Sequence, residues 1–109
     1  MKVLLYGHKL NSESYKYLQL CVNELLNYQT EIFFLKSFYF KIKNKINGVI
    51  NHEIIYKISK KNQIDFLICF GGDGTMLKAA HLIANLEIPI IGINTGRLGF
   101  LANISKNDI

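Results

Sequence analysis

The chain has 109 residues, half of them hydrophobic, which fits one packed domain of residues 1–109 and excludes a disordered chain. No apolar run approaches the length of a membrane-spanning helix, and Cys21 and Cys69 lie within apolar patterns, so we expect reduced core cysteines in a cytoplasmic protein. The formal net charge is +5, and its excess comes from the lysine-rich residues 36–61. A solvated face is the simpler explanation of these lysines, and weak attraction for anionic ligands is the alternative. We predict neither a nucleic-acid partner nor a membrane partner.

The first half of the chain predicts a strand, a helix and a second strand. Residues 3–6 form a nearly continuous apolar run, as in a strand covered on both faces. Asn11 and Ser12 are candidate N-caps of an amphipathic helix that extends to about Tyr28. Residues 32–35 predict a second strand.

The segment between the two halves is less clearly patterned. Residues 36–48 are rich in lysine and weakly patterned, and they predict a loop or a poorly defined insertion. A helical spacing of apolar residues then predicts a second helix. Its members are Val49, Ile50, Ile54, Ile55 and Ile58.

The second half predicts two further strands around a helix. Residues 66–70 form a buried strand, a helix extends from Met76 to about Ala84, and residues 88–93 form the next strand with Pro89 near its start. Strands that alternate with helices predict an α/β, three-layer Rossmann-like domain with a parallel sheet. Residues 105–108 resemble a capping box that opens a helix, and the chain ends one residue later, so we expect a truncated product.

The segment Gly71-Gly72-Asp73-Gly74-Thr75 follows a predicted buried strand and opens a predicted helix. Glycines there let the backbone approach a ligand closely and adopt positive φ. The free N–H groups and the dipole of the helix favour an anion, so the segment predicts a phosphate site at the carboxyl end of a parallel strand.

A carboxylate in a phosphate site needs an explanation, because it repels the ligand. The residues alone leave two explanations of Asp73 open. The first is functional: Asp73 bridges a metal ion or acts as a base toward an attacking hydroxyl. The second is structural: Asp73 is a turn and capping residue. Capping is the expected role of Thr75, with phosphate contact as the alternative. For Lys78 the residues alone favour solvent over a contact with phosphate.

Several familiar sites are excluded by the sequence. No Gly-Lys-Ser/Thr follows a glycine loop, so the P-loop motif is absent, and Leu77 stands where the dinucleotide fingerprint needs its third glycine. The three histidines are scattered and predict no metal cluster.

Two motifs together resemble the N-terminal signatures of the NAD kinase family. They are residues 71–75 and the loop Asn94-Thr95-Gly96-Arg97-Leu98-Gly99-Phe100-Leu101. The first motif alone is shared with diacylglycerol and sphingosine kinases and resembles that of phosphofructokinases. The second discriminates, because lipid kinases typically carry a Gly-Thr-x-Asn-Asp loop at that place.

The resemblance implies phosphorylation of the 2′-hydroxyl on the adenosine ribose of NAD to give NADP. It implies ATP or polyphosphate as donor, an expected divalent cation (Mg²⁺), nucleotides as partners, and a homo-oligomeric full-length enzyme. By position, Asp73 is the proton acceptor for the hydroxyl, and Lys78 becomes a nucleotide-binding residue, which reverses the preference for solvent. The remaining implied nucleotide-binding residues are Gly72, Gly74, Thr75, Asn94 and Phe100, the last against adenine.

The chain departs from the family in one large respect. Family members continue into a β-rich second domain that supplies an Asn-Glu pair, and these 109 residues do not contain it. We therefore expect an incomplete half of the enzyme that is inactive alone. A lipid or phosphofructokinase-like kinase domain and a non-catalytic fragment are the alternatives.

Overall fold

The strands form one parallel sheet in the computed structural model, which describes residues 1–8, 10–47, 52–94 and the backbone of 104–105. Within these residues the sheet has six strands in the order β3-β2-β1-β4-β5-β6, all pairs parallel. The strands are β1 (Lys2–Gly7), β2 (Glu31–Leu35), β3 (Glu53–Ile55), β4 (Phe66–Gly71), β5 (Ile90–Asn94) and β6 (Ile104–Ser105).

Three α-helices cover the sheet in the described part of the chain: α1 (Ser12–Asn27), α2 (Lys36–Ile42) and α3 (Asp73–Leu82). Asn11 is the N-cap of α1, and its side-chain oxygen accepts a hydrogen bond from the backbone N–H of Ser14 at 2.8 Å. The predicted cap is therefore confirmed. A short 3₁₀ helix, Lys60–Asn62, precedes β4.

Two apolar clusters, one on each face of the sheet, make the fold a three-layer α/β domain. Successive side chains of β1 point to opposite faces of the sheet, so Val3 and Leu5 lie in one cluster and Leu4 and Tyr6 lie in the other. The first cluster packs under α1 and α2, and the second packs under α3 and the residues that precede β4. The predicted fold class is confirmed, since the buried strands are apolar on both faces.

The prediction of a loop over residues 36–48 is wrong, because residues 36–42 form α2. Phe38, Ile42 and Ile46 are buried, and their four-residue spacing places them on one face of the chain toward the first cluster. The lysines between them are exposed. A four-residue apolar spacing was thus present but was masked by the lysine content.

The prediction of a helix through Ile54, Ile55 and Ile58 is also wrong. Ile54 and Ile55 lie in β3, which pairs with β2 through Phe34↔Ile54 and Leu35↔Ile55. Isoleucine is compatible with both a helix and a strand, and here the pairing with β2 selects the strand. Val49 and Ile50 lie outside the described residues.

Smaller differences concern the ends of elements. β5 begins at Ile90, and Pro89 lies before it with its carbonyl accepting from the N–H of Leu67 at 2.9 Å. Strand β6 is not predicted by the sequence pattern, and residues 106–108 of the supposed capping box lie outside the described residues. Cys21 and Cys69 are free and buried, as predicted. Among the described residues, no helix combines the length and the apolar character needed to cross a membrane.

Candidate functional site

The strand order reverses direction between β1 and β4. From β1 the chain builds outward to β2 and β3, and it then returns past β1 to build β4, β5 and β6 on the other side. In such doubly wound sheets a crevice opens beyond the carboxyl ends of the two central strands, where ligands bind. The register places Gly7 beside Phe70, so the glycine segment that follows Phe70 begins at this crevice.

Gly71, the last residue of β4, has a backbone conformation that requires glycine. Its φ is +151°, and a β-carbon there would lie 2.7 Å from Cβ of Thr75. The absence of a side chain lets the first turn of α3 fold back over the end of β4. A positive φ was expected of the glycines in this segment, and Gly71 has it, although Gly71 was not among the predicted nucleotide contacts.

The N-terminus of α3 is open at the positions where a ligand would approach. Gly72 is the N-cap and has no side chain to cap the first turn. A β-carbon at Gly74 would meet no atom of the described residues within 4 Å, so packing does not demand glycine there. Glycine inside a helix costs about 1 kcal/mol relative to alanine, and its small size leaves room for close approach to the backbone. The geometry suits an anion near the first free N–H groups.

Asp73 and Thr75 occupy the first turn of α3, and neither is the N-cap. Both side chains are partly exposed. The carboxylate of Asp73 lies at the positive end of the helix dipole, which stabilises its charge. Thr75 packs against Gly71. The N-cap itself is Gly72, and the capping roles considered for Asp73 and Thr75 stay predictions.

Lys78 is exposed on α3, one turn beyond Gly74. Four residues along a helix correspond to about 6 Å of rise and a rotation of about 40°, so Lys78 shares the open face of Gly74. Asp73 is about 140° around the axis from Lys78. Helical side chains lean toward the N-terminus, so the start of α3 is within the reach expected of a lysine at position 78.

Asn94 ends β5 and is buried, with 6% of its surface exposed. It pairs in register with Gly71 on one side and with Ser105 on the other. Neighbouring strands lie about 4.8 Å apart, so the structure brings Asn94 to the same edge as the glycine segment. Thr95, Arg97 and Phe100 lie outside the described residues.

The groups beneath the site are neutral. Burial raises the pKa of the Cys69 thiol to about 11, and its Sγ lies 3.0 Å from Sδ of Met76 in the second turn of α3. Burial, followed by the neighbouring Cys69, also raises the pKa of Tyr6, its register partner on β1. The strand residues therefore form an uncharged floor, and Asp73 supplies charge above it.

The carboxyl end of β1 is connected to α2. Nζ of Lys41 donates a hydrogen bond to the backbone carbonyl of His8 at 3.0 Å. A lysine from the supposed loop thus holds the residue that follows β1, on the opposite side of the crevice from the glycine segment. No motif in the sequence indicated this contact, because it joins residues 33 positions apart.

A cavity of about 300 Å³ lies elsewhere, among Thr30, Glu31, Ile32, His52 and Glu53. These residues surround the first residues of β2 and β3, at the amino edge of the sheet. In an open parallel sheet the carboxyl edge is where ligands bind, so this cavity is not the predicted site.

Comparison with protein families gives a match over residues 6–109 to the model described as the ATP-NAD kinase N-terminal domain. Among individual proteins, the chain is 39% identical over 111 residues to the NAD kinase of Christiangramia forsetii and 32% identical over 113 residues to that of Porphyromonas gingivalis. These matches cover 100% and 98% of the chain but 37% of each relative. The chain thus spans little more than a third of their length.

Among solved structures, the fold resembles that of yeast NADH kinase complexed with NADH, with a TM-score of 0.73 and 18% sequence identity. The match covers 97% of this chain and 34% of the yeast chain. At this identity the likeness establishes the shared fold.

Proposed function

Since the chain belongs to the family of ATP-NAD kinase N-terminal domains, we propose that it supplies one wall of the active site of an NAD kinase. The reaction is the transfer of a phosphoryl group from ATP to the 2′-hydroxyl on the adenosine ribose of NAD, which gives NADP. The chain spans 37% of its relatives, and the rest of the site belongs to the remainder of such an enzyme. Inactivity of the 109 residues alone stays a prediction.

The observation that carries this proposal is the open N-terminus of α3 beside the crossover crevice. Gly74 faces no described atom, and Gly71 and Thr75 shape the turn that presents the first N–H groups. A nucleotide needs such a place, because its phosphates bind N–H groups and its sugar needs close backbone approach. In this proposal Gly72, Gly74 and Thr75 contact the nucleotide.

Asp73 is the proposed proton acceptor. As the 2′-oxygen of the ribose attacks the terminal phosphorus of ATP, its proton passes to the Asp73 carboxylate and the bond between that phosphorus and the leaving ADP oxygen breaks. The carboxylate lies in the first turn of α3, partly exposed and next to the residues proposed to hold the nucleotide. A base held at the reacting hydroxyl contributes about 10²–10⁴ in rate.

Three other residues are proposed to contact the nucleotide. Asn94 would do so from its buried place beside Gly71. Lys78 contributes positive charge from the open face of α3. Phe100 is proposed to pack against adenine.

Magnesium fits this donor set as a companion of the substrate. Within the described residues no group of three or more histidine, cysteine or acidic side chains is placed to hold a metal ion. Mg²⁺ commonly keeps several waters and binds substrate phosphates, so the phosphates of ATP would hold it, with Asp73 kept as the proton acceptor. Bound there, it would neutralise charge on the phosphates.

Two further proposals concern the cell and the assembly. The buried free thiols Cys21 and Cys69 suit a reducing compartment, which supports a cytoplasmic location. A homo-oligomeric full-length enzyme is proposed from the family resemblance.

The test of the proposal is Asp73→Asn in a chimera that joins residues 1–109 to the rest of the C. forsetii NAD kinase. We expect NADP formation to fall about 10²–10⁴-fold, because the amide keeps the shape of the carboxylate but cannot accept the proton. NADP is measured by enzymatic cycling, and thermal unfolding checks that the fold is intact. The matched control is Glu87→Gln, an exposed acid beyond α3, which should leave turnover unchanged. If the Asp73→Asn chimera retains more than about a tenth of the activity of the unmodified chimera, Asp73 is not the base.

A further inference from the structure

An exposed group of rings and lysines, the aromatic–lysine patch, lies outside the site described above. It consists of Lys36, Phe40, Lys43 and Tyr56. Nζ of Lys36 lies 4.6 Å from the ring centroid of Tyr56 and 5.8 Å from that of Phe40, and Nζ of Lys43 lies 4.7 Å from the Phe40 ring. The rings are 80% exposed for Tyr56 and 53% exposed for Phe40. Large exposed rings with cations beside them are a surface suited to a planar, anionic ligand.

The patch lies at the same edge of the sheet as the glycine segment. Lys36 directly follows β2, and Tyr56 directly follows β3, so both are at the carboxyl ends of their strands. In the strand order β3-β2-β1-β4, three spacings of about 4.8 Å separate β3 from β4, a span of about 14 Å. An extended nucleoside triphosphate covers such a span.

The patch is held in place by the core beneath it. Phe40 lies on α2, whose Phe38 and Ile42 are fully buried in the first cluster. The same helix holds the end of β1 through the bond from Lys41 to His8, between the patch and the glycine segment. Phe40 is therefore carried by an anchored helix.

The local charge is strongly positive. Glu53 is the only acidic residue between positions 36 and 61, and it begins β3, at the opposite end of that strand from Tyr56. Three residues of strand separate the two by about 10 Å. No acidic residue of this segment therefore lies at the carboxyl end of β3 beside the lysines of the patch.

We propose that the aromatic–lysine patch binds the phosphoryl donor, a nucleoside triphosphate. Its base stacks on Tyr56 or Phe40, its phosphates pass the lysines, and its terminal phosphate reaches toward Asp73. This inference rests on the proposed function and assigns residues to the donor side of it. A single strand of nucleic acid is the competing ligand, because stacking and positive charge serve both.

The experiment measures binding of ATP, of inorganic tripolyphosphate and of NAD to the 109-residue chain by calorimetry at low salt. We expect Tyr56→Ala to weaken ATP binding about 5- to 150-fold, as the loss of one base–aromatic stack does, and to leave tripolyphosphate and NAD binding unchanged. Lys36→Gln should weaken ATP and tripolyphosphate alike, and added salt should reduce both affinities.

Two matched controls are available in the chain. Tyr28 is 79% exposed, against 80% for Tyr56, but lies before β2, toward the amino edge. Lys45 lies over the ring of Tyr15 at 4.6 Å, the distance that separates Lys36 from Tyr56. Tyr28→Ala and Lys45→Gln should leave ATP affinity unchanged.

Several results would overturn the proposal. They are the absence of ATP binding to the unmodified chain, an ATP affinity that Tyr56→Ala leaves unchanged, or tighter binding of a short oligothymidylate than of ATP through the same residues. If the chain still binds NAD when one of these results is obtained, the donor-site proposal fails but the proposed function does not. Failure of the proposed function itself is recognised separately, by retained turnover in the Asp73→Asn chimera.

Discussion

Two parts of the carboxyl edge are built on different principles. The glycine segment between β4 and α3 presents backbone N–H groups and a single carboxylate, whereas the aromatic–lysine patch beyond β2 and β3 presents long side chains. The first depends on backbone geometry that few residues other than glycine adopt, as at Gly71. The second depends on side chains that many sequences tolerate on a surface. One edge of a sheet can thus be specified strictly at one end and loosely at the other.

The helices behind these two parts are also anchored differently. Of the residues of α3, Ala79 alone is buried, with Met76 partly buried against the second cluster. The shorter α2 buries Phe38 and Ile42 completely. The helix of the glycine segment therefore buries little of its own surface, and the helix of the patch buries two large core side chains.

The largest effect on stability is expected from Phe38→Ala. Phe38 is 1% exposed, and its ring packs near those of Tyr6 and Phe34, with centroids 6.0 and 6.3 Å away. Its removal should lower the free energy of unfolding by about 3–5 kcal/mol, measured by urea unfolding. Phe40→Ala, two positions away on the exposed face of α2, should cost less than about 1 kcal/mol. Equal losses from the two variants would mean that α2 is not anchored through Phe38.

Two of the three glycines of the β4–α3 segment, Gly71 and Gly74, should respond in opposite directions to alanine. Gly71→Ala places a β-carbon against Thr75 at a φ of +151°, which should cost about 1–3 kcal/mol of stability. Gly74→Ala meets no described atom and should stabilise α3 by up to about 1 kcal/mol. If Gly74 serves a nucleotide, its alanine variant should nevertheless bind NAD more weakly by calorimetry. Stabilisation with unchanged NAD affinity would remove Gly74 from the proposed site.

The same contrast explains which features the sequence revealed. β4 was predicted because it is apolar on both faces. The turn after it was predicted because glycines and an aspartate in succession favour a turn. The family resemblance drawn from these motifs is confirmed by the match over residues 6–109. Individual contact roles at the site, Asp73 included, stay predictions.

The region from Lys36 to Ile58 was mispredicted for a physical reason. Its lysines hide the buried spacing of Phe38, Ile42 and Ile46, and its isoleucines suit a strand as well as a helix. Pairing of β3 with β2 is a contact between distant residues, which local periodicity does not encode. The bond from Lys41 to His8 is equally long-range. The patch at the carboxyl edge exists only because these long-range contacts form.

The smallest effect is expected for Lys78→Ala, because the exposure of Lys78 in the structure lowers the contribution to nucleotide affinity that the motif alone suggests. A charge-assisted contact to phosphate contributes about 1.5–3 kcal/mol when sheltered, but Lys78 is exposed, and exposed ion pairs contribute about 0–1 kcal/mol. Lys78→Ala should therefore weaken NAD binding to the 109-residue chain less than about fivefold, with an effect that disappears as salt is raised. Lys16→Ala, at an exposed lysine within α1, is the matched control and should leave the affinity unchanged. In the chimera with a complete site, shelter from the second domain should raise the Lys78→Ala effect above that of the isolated chain. If Lys78→Ala reduces NAD affinity equally little in both proteins, Lys78 lies in solvent, as the residues alone favour. In that case α3 contributes to the nucleotide site through its first turn only.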